Sequence, residues 1–300
     1  MKRMFYLFAG LLALARILAD TPAAEPDFNT VKAAAEKGDP KSQYALAKCF
    51  ARGSGVAQDW SKAAEYFDKS AAQGYALAET DLAALYAKGQ GVKPDLTTAF
   101  KWYLKAAEQG DPLAQFAVGD WYRSGHGVPK DFANALQWYR KSAGQNQAEA
   151  QNALGQCYFH GEGVAQNYEE AAKWLREAAE QGCVGAMNNL GFLYENGFGV
   201  KTDAHEAAKW YRAAAEAQDG KAQGNLGRCY EEGIGVPRDF VLAFKWFKLS
   251  AMKGDAIGRR YMQDYLDNKR LNPTQQAESE RLVNEFLAQK LSWEKSTVPH

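Results

Sequence analysis

Small and apolar residues recur along the chain at a helical spacing inside a much longer repeat. Ala114, Val118, Trp121 and Tyr122 form one stripe, and Leu154, Cys157 and Tyr158 form another. Apolar positions three and four apart lie on one face of an α-helix. Each stripe ends at a Gly-x-Gly, and glycine tolerates the left-handed backbone that closes a helix. A second apolar stretch then opens at Asp59, Asp95, Asp131, Asn167, Asp203 or Asp239. Asp and Asn are favoured N-caps, because a side-chain oxygen accepts a backbone N–H that the helix leaves unpaired. The pattern predicts pairs of helices and no strand.

The Gly-x-Gly pairs fix the period. Gly53-Ser54-Gly55 is followed by Gly89-Gln90-Gly91, Gly125-His126-Gly127, Gly161-Glu162-Gly163, Gly197-Phe198-Gly199 and Gly233-Ile234-Gly235, each 36 residues on. At that period the chain divides into 39–74, 75–110, 111–146, 147–182, 183–218 and 219–254. In the second helix of every unit one slot is alanine, from Ala63 to Ala243, and so is another, from Ala71 to Ala251. Between them lies an aromatic slot: Tyr66, Trp102, Trp138, Trp174, Trp210 and Trp246. Its recurrence predicts core filling between stacked helices, not a ligand-stacking platform. Units close on Gly74, Gly110, Asn146, Gly182 and Gly254, with Gln218 as the exception.

The combination of Ala-x-x-x-Leu-Gly-x-x-Tyr, Gly-x-Gly-Val, Asp-x-x-x-Ala-x-x-Trp-Tyr and Ala-Ala-x-x-Gly resembles the SEL-one-like repeat, a branch of the tetratricopeptide superfamily. The first unit departs most, with Ala47, Phe50 and Tyr66 in the glycine, tyrosine and tryptophan slots. The resemblance implies an all-α fold: an α/α superhelical solenoid of about six 36-residue repeats. It also implies an interaction scaffold without a family-wide active site.

The flanks fit such an array, which needs its ends covered because one repeat cannot bury its own face. Residues 24–38 read as an N-terminal half-repeat and 255–291 as C-terminal capping helices. Asn272 would be an N-cap with Pro273 in the first turn. Leu282, Val283, Phe286 and Leu287 would form the apolar face of the last helix. Residues 292–300 read as a flexible tail. Before the cap, Met1-Lys2-Arg3 and an apolar run to Ala15 have the pattern of a secretory signal peptide over 1–23, with small residues at Ala19 and Ala23 for cleavage. Arg16 is atypical for such a leader. The expected location is therefore periplasmic or secreted; the alternative is a cytoplasmic chain whose N-terminal helix packs on the domain.

Charge sharpens the functional reading mainly by exclusion. Lys+Arg and Asp+Glu each number 36, which gives no basic surface for nucleic acid. The apolar leader run is too short to leave a stable membrane span after cleavage. Cys49, Cys157 and Cys229 share one slot in different units, so their separation should be tens of ångströms at roughly 8–10 Å per packed helix. A disulfide needs Cα atoms within about 7 Å. Cys183 is also out of register, and all four are expected to be thiols. Two Ser-x-x-Lys strings, at Ser250 and Ser292, lack an accompanying Lys-Thr-Gly. His126 and His160 have no metal-ligand spacing. No catalytic residue, metal site or cofactor is expected.

The leading function is thus a non-enzymatic, monomeric scaffold that binds a protein or peptide on the concave face lined by the first helices. The alternative is a cell-wall- or β-lactam-directed hydrolase of the cysteine-rich repeat type, whose stapling cysteine pairs are absent here. Slots that vary between units are those the core does not dictate. Phe116, Phe159 and Phe192 stand in such slots, as do Phe198 and Ile234 in the turns. Phe159, Phe192 and Phe198 are the expected anchors for a partner, with Asn188 and Asn189 bonding its backbone.

Overall fold

The computed structural model describes residues 6–18 and 27–297, which form sixteen helices and no strand. The fold is an all-α solenoid of six helix–turn–helix repeats. The chain divides after Gln166 into two compact units.

The first unit contains α1 (Tyr6–Leu18), α2 (Phe28–Glu36), α3 (Pro40–Arg52), α4 (Trp60–Ala72), α5 (Ala76–Lys88), α6 (Leu96–Glu108), α7 (Pro112–Ser124), α8 (Phe132–Ala143) and α9 (Ala148–His160). The second contains α10 (Tyr168–Glu180), α11 (Val184–Asn196), α12 (Ala204–Glu216), α13 (Gly220–Glu232), α14 (Phe240–Met252), α15 (Ala256–Asp267) and α16 (Pro273–Thr297). Among the described residues, no helix is long and apolar enough to cross a membrane.

The caps explain why the period never slips. All six predicted N-caps of the second helices accept a backbone N–H from the first turn. The five aspartate caps also tie their own N–H back to the preceding helix. Asp131 N–H donates to the Tyr122 carbonyl at 2.8 Å, and Asp203 N–H to that of Tyr194 at 2.9 Å. Each bond satisfies a carbonyl that a helix C-terminus leaves without an intrahelical donor, so turn length is set by hydrogen bonding. Within a repeat the two helices are also pinned side by side. Ser142 Oγ donates to the Pro112 carbonyl at 2.6 Å, and Ser250 Oγ to that of Gly220 at 2.6 Å.

Core packing follows the alanine slots, and the Ala63-to-Ala243 series is fully buried in all six repeats. The aromatic slot departs from the expectation of core filling. Tyr66, Trp102, Trp138, Trp174 and Trp210 are only half-buried, whereas Trp246 is buried. The ring that fills the core belongs to the next residue, as with Phe67, Tyr103, Tyr139, Tyr211 and Phe247. The tryptophans lie beneath lysines instead, as where Lys141 Nζ sits 4.0 Å from the Trp138 ring centre. A cation over an aromatic face is stabilising and needs no full burial.

At the start of the first unit, α2 packs on α3, with Phe28 edge-on to Phe50 at 5.9 Å. At the end of the second, Asn272 and Gln275 cap α16 reciprocally, through bonds of 2.9 and 3.0 Å. Val283 and Phe286 of α16 are buried, and Phe286 meets Trp246 edge-on at 5.5 Å. The segment read as a tail begins inside α16; residues 298–300 lie outside the described residues, as does the Ser292 side chain. Lys2, Arg3 and the cleavage positions Ala19 and Ala23 likewise lie outside them.

Candidate functional site

In the second unit, the turn of α11 brings Asn188, Phe192 and Glu195 onto one face, since residues three and four apart are neighbours on a helix. Phe192 is 41% exposed, the one aromatic side chain among the exposed large apolar residues of the described chain. Its ring lies 5.9 Å from that of Phe198 in the following turn, and Phe198 lies 4.9 Å from Tyr168. Asn188 and Asn189 are half-buried. Asn225 of α13 donates to the Asn188 amide oxygen at 2.9 Å, which aligns the two first helices.

Beside these residues lies an ion pair with a third partner. Arg228 of α13 pairs with Glu195 at 2.6 Å, and the Tyr211 hydroxyl donates to Glu195 at 2.8 Å. Burial pushes the Glu195 carboxyl up, but the bonds from Arg228 and Tyr211 outweigh it and hold the group below its ordinary value. The carboxylate is therefore ionised and fixed. The surface combines one exposed aromatic ring backed by half-buried ones, half-buried amides and a rigid ion pair, which suits side-chain anchoring with backbone hydrogen bonding.

Of the residues expected at a partner site, the structure gathers Asn188, Asn189, Phe192 and Phe198 in the second unit. Phe159 belongs to α9 of the first unit, where its ring meets His160 edge-on at 4.9 Å. Two other apolar residues in variable slots turn inward. Phe116 is 5% exposed and packs against Tyr139, and Ile234 packs against the core.

The hydroxyl of Ser250 is fully buried and committed to the Gly220 carbonyl, and Lys253 bonds Gln218 instead. Ser250 is thus a helix-pairing residue. None of the four cysteines is in a disulfide. Burial raises the Cys157 thiol to about 11 and that of Cys229 to about 12, which suppresses the reactive thiolate.

In the first unit the N-terminal helix packs on the domain, as in the alternative reading of the apolar run; what sequence reasoning missed is the ion-pair network that holds it. Helix α1 packs along α3, α5 and α7, burying Ala13, Leu14 and Ile17. Arg16 Nη2 lies 2.5 Å from Asp81 Oδ1 and donates to the Leu77 carbonyl at 3.3 Å; its Nη1 lies 3.3 Å from Asp111 Oδ2. The Tyr44 hydroxyl donates to the other Asp81 oxygen at 3.0 Å. Arg52 Nε donates to the Ile17 carbonyl at 2.7 Å. Burial works against the charged Arg16, but Asp81, Tyr44 and Asp111 raise its pKa overall. Burial also raises Asp81, with Arg16 and Tyr44 opposing. The available signal was Asp81 itself, which stands in a slot held by Ala45 and Ala117 in the flanking repeats.

Six Sel1 repeats match the chain, at residues 40–75, 76–111, 112–147, 148–183, 184–219 and 220–255. A solved protective antigen present in uropathogenic Escherichia coli strains, displaying an SLR fold, is 35% identical over 87% of this chain, with a TM-score of 0.74. The chain spans 56% of that antigen's length. A Sel1 repeat protein from Oxalobacter formigenes is 36% identical, with a TM-score of 0.67, and the match covers 76% of this chain and 90% of that one. Among curated proteins, none matches the chain.

Proposed function

The chain belongs to the Sel1 repeat family, and from that premise we propose that it is a non-enzymatic scaffold holding a protein or peptide on the face lined by its first helices. Sel1 repeat proteins are generally protein-interaction scaffolds. The observation that carries the reading for this chain is Phe192, a large apolar ring left 41% exposed on α11 beside Phe198. Exposed aromatic anchors surrounded by polar groups are typical of interface hot spots. Asn188 and Asn189 supply amides for the partner's backbone. The protein acts as a monomer and outside the cytoplasm, after loss of the leader at 1–23.

Capture of partners by the wild-type chain and by Phe192→Ala, read side by side from periplasmic extract, tests the site. A partner held by the wild type should bind the variant about fivefold or more weakly, a loss of roughly 1–3 kcal/mol. The melting midpoint should scarcely move. A variant that unfolds at lower temperature yet retains the partner would make Phe192 a packing residue and remove the proposed surface.

A further inference from the structure

The contact between α1 and the first unit has the chemistry of recognition. The walls of the groove between α3, α5 and α7 receive Ala13, Leu14 and Ile17. At its centre stands Asp81, whose side chain is fully buried. Packing of the repeats does not require an acid there, since alanine occupies the slot at Ala45 and Ala117. A buried carboxylate is costly unless paired, and the cation that pairs with it comes from α1, not from a repeat. Arg16 binds Asp81 through Nε at 3.2 Å and Nη2 at 2.5 Å, and it reaches Asp111 through Nη1.

One further group reads the helix end, and a second senses the charges beside it. Arg52 bonds the Ile17 carbonyl, one of the groups that a helix C-terminus leaves without a donor. Tyr103, fully buried on α6, feels the charges of Asp81, Arg16 and Asp111, and its hydroxyl has no hydrogen-bond partner among the described residues. Apolar walls, two carboxylates and a donor for a terminal carbonyl together specify an apolar helix with a guanidinium in its last turn.

We propose that the groove lined by α3, α5 and α7 is a receptor for an apolar α-helix of a partner protein bearing an arginine in its last turn, and that α1 occupies it until the leader is removed. The vacating step rests on the leader reading; the recognition chemistry does not. A tethered α1 excludes competitors through its high effective concentration. Once it is lost, Asp81 and Asp111 face an open groove without their cation.

The test uses the full chain with a specific protease site inserted between residues 19 and 26, cut only after folding. The released N-terminal fragment is exchanged against a fluorescent peptide of residues 6–18 with a solubilising N-terminal tail. The peptide should bind saturably. Its Arg16→Ala counterpart should bind at least about tenfold more weakly, because hydrogen bonds to charged groups are the strong ones. The Asp81→Asn chain should lose the same factor and no longer distinguish the two peptides. Phe192→Ala should leave peptide binding unchanged, which separates this groove from the surface on α11.

Equal affinity for the two peptides would overturn the proposal, as would no binding by a cut chain whose helicity is intact. A dimer of the uncut chain that exchanges α1 would give the groove to a second copy and also overturn it. The peptide pair on the wild-type groove decides the matter even if Asp81→Asn does not fold.

Discussion

Asp120 shows how far one side chain can set the pH response. It is 7% exposed, the Tyr139 hydroxyl lies 3.4 Å from Oδ1, and Oδ2 has no hydrogen-bond partner among the described residues. Burial pushes its pKa up to about 6, against the opposing effects of Arg123 and Tyr139. A carboxyl whose folded pKa lies above its unfolded value keeps its proton longer in the native state. Its contribution to stability is full below about pH 4 and is lost as pH rises through about 6, a change on the order of 1–3 kcal/mol. Asn keeps the shape and can still meet Tyr139. Asp120→Asn should therefore be the more stable form at pH 7.5 and lose that advantage at pH 4. Urea unfolding at both pH values checks this, and parallel pH profiles for the two proteins would refute it. The contrast between Phe116 and Phe192 shows why such detail was not legible in sequence. Both are unsupported by the period, yet one packs against Tyr139 and the other reaches solvent. The choice depends on neighbours from other helices, and no one-dimensional spacing records it.

At the scale of elements, the helices were legible because caps and turns depend on local backbone chemistry. Asp203 and Gly197 announce their roles within a few residues of sequence. The half-buried tryptophan slot was not legible, since tryptophan and the tyrosine after it are both aromatic and only stacking decides which one is enclosed. The second glycine of each turn has a role beyond its own loop. Gly199 has φ +67°, and a Cβ there would fall 2.0 Å from the Tyr168 carbonyl oxygen at the start of α10. The turn of one repeat thus lies directly on the second helix of the preceding repeat. Gly182, at the end of α10, has φ +90° with nothing within 4 Å of a Cβ. Gly182→Ala should cost about 1–2 kcal/mol, for the left-handed backbone alone. Gly199→Ala adds the collision with the backbone and should cost at least about 1 kcal/mol more than that. Thermal or urea unfolding of the pair separates the two terms. Equal losses would mean that the turn moves away from α10 without penalty.

For the molecule as a whole, the remaining question is whether α1 is a passenger or a permanent helix. An apolar run with two leading cations satisfies the pattern of an export signal, and a run with Ala13, Leu14 and Ile17 on one side equally satisfies a packed helix. Sequence alone could not separate them, and Arg16, atypical for a leader, is the residue the groove engages. Repeats interact chiefly with their neighbours, so loss of α1 should be felt locally. N-terminal sequencing of the chain from its host should show that the first 15–25 residues are gone. Hydrogen exchange of the processed chain, compared with the full chain, should then show lost protection in α3, α5 and α7 and none in α13 or α14. The reason is that Asp81, Asp111 and Tyr44 lose Arg16, and the walls that covered Leu14 and Ile17 meet water, while the repeats around α13 keep every contact they had. Unchanged protection in α5 would mean that α1 does not dock in solution. An intact Met1 on the folded protein in the cytoplasm would make α1 a structural helix and Arg16 part of a fixed core ion pair.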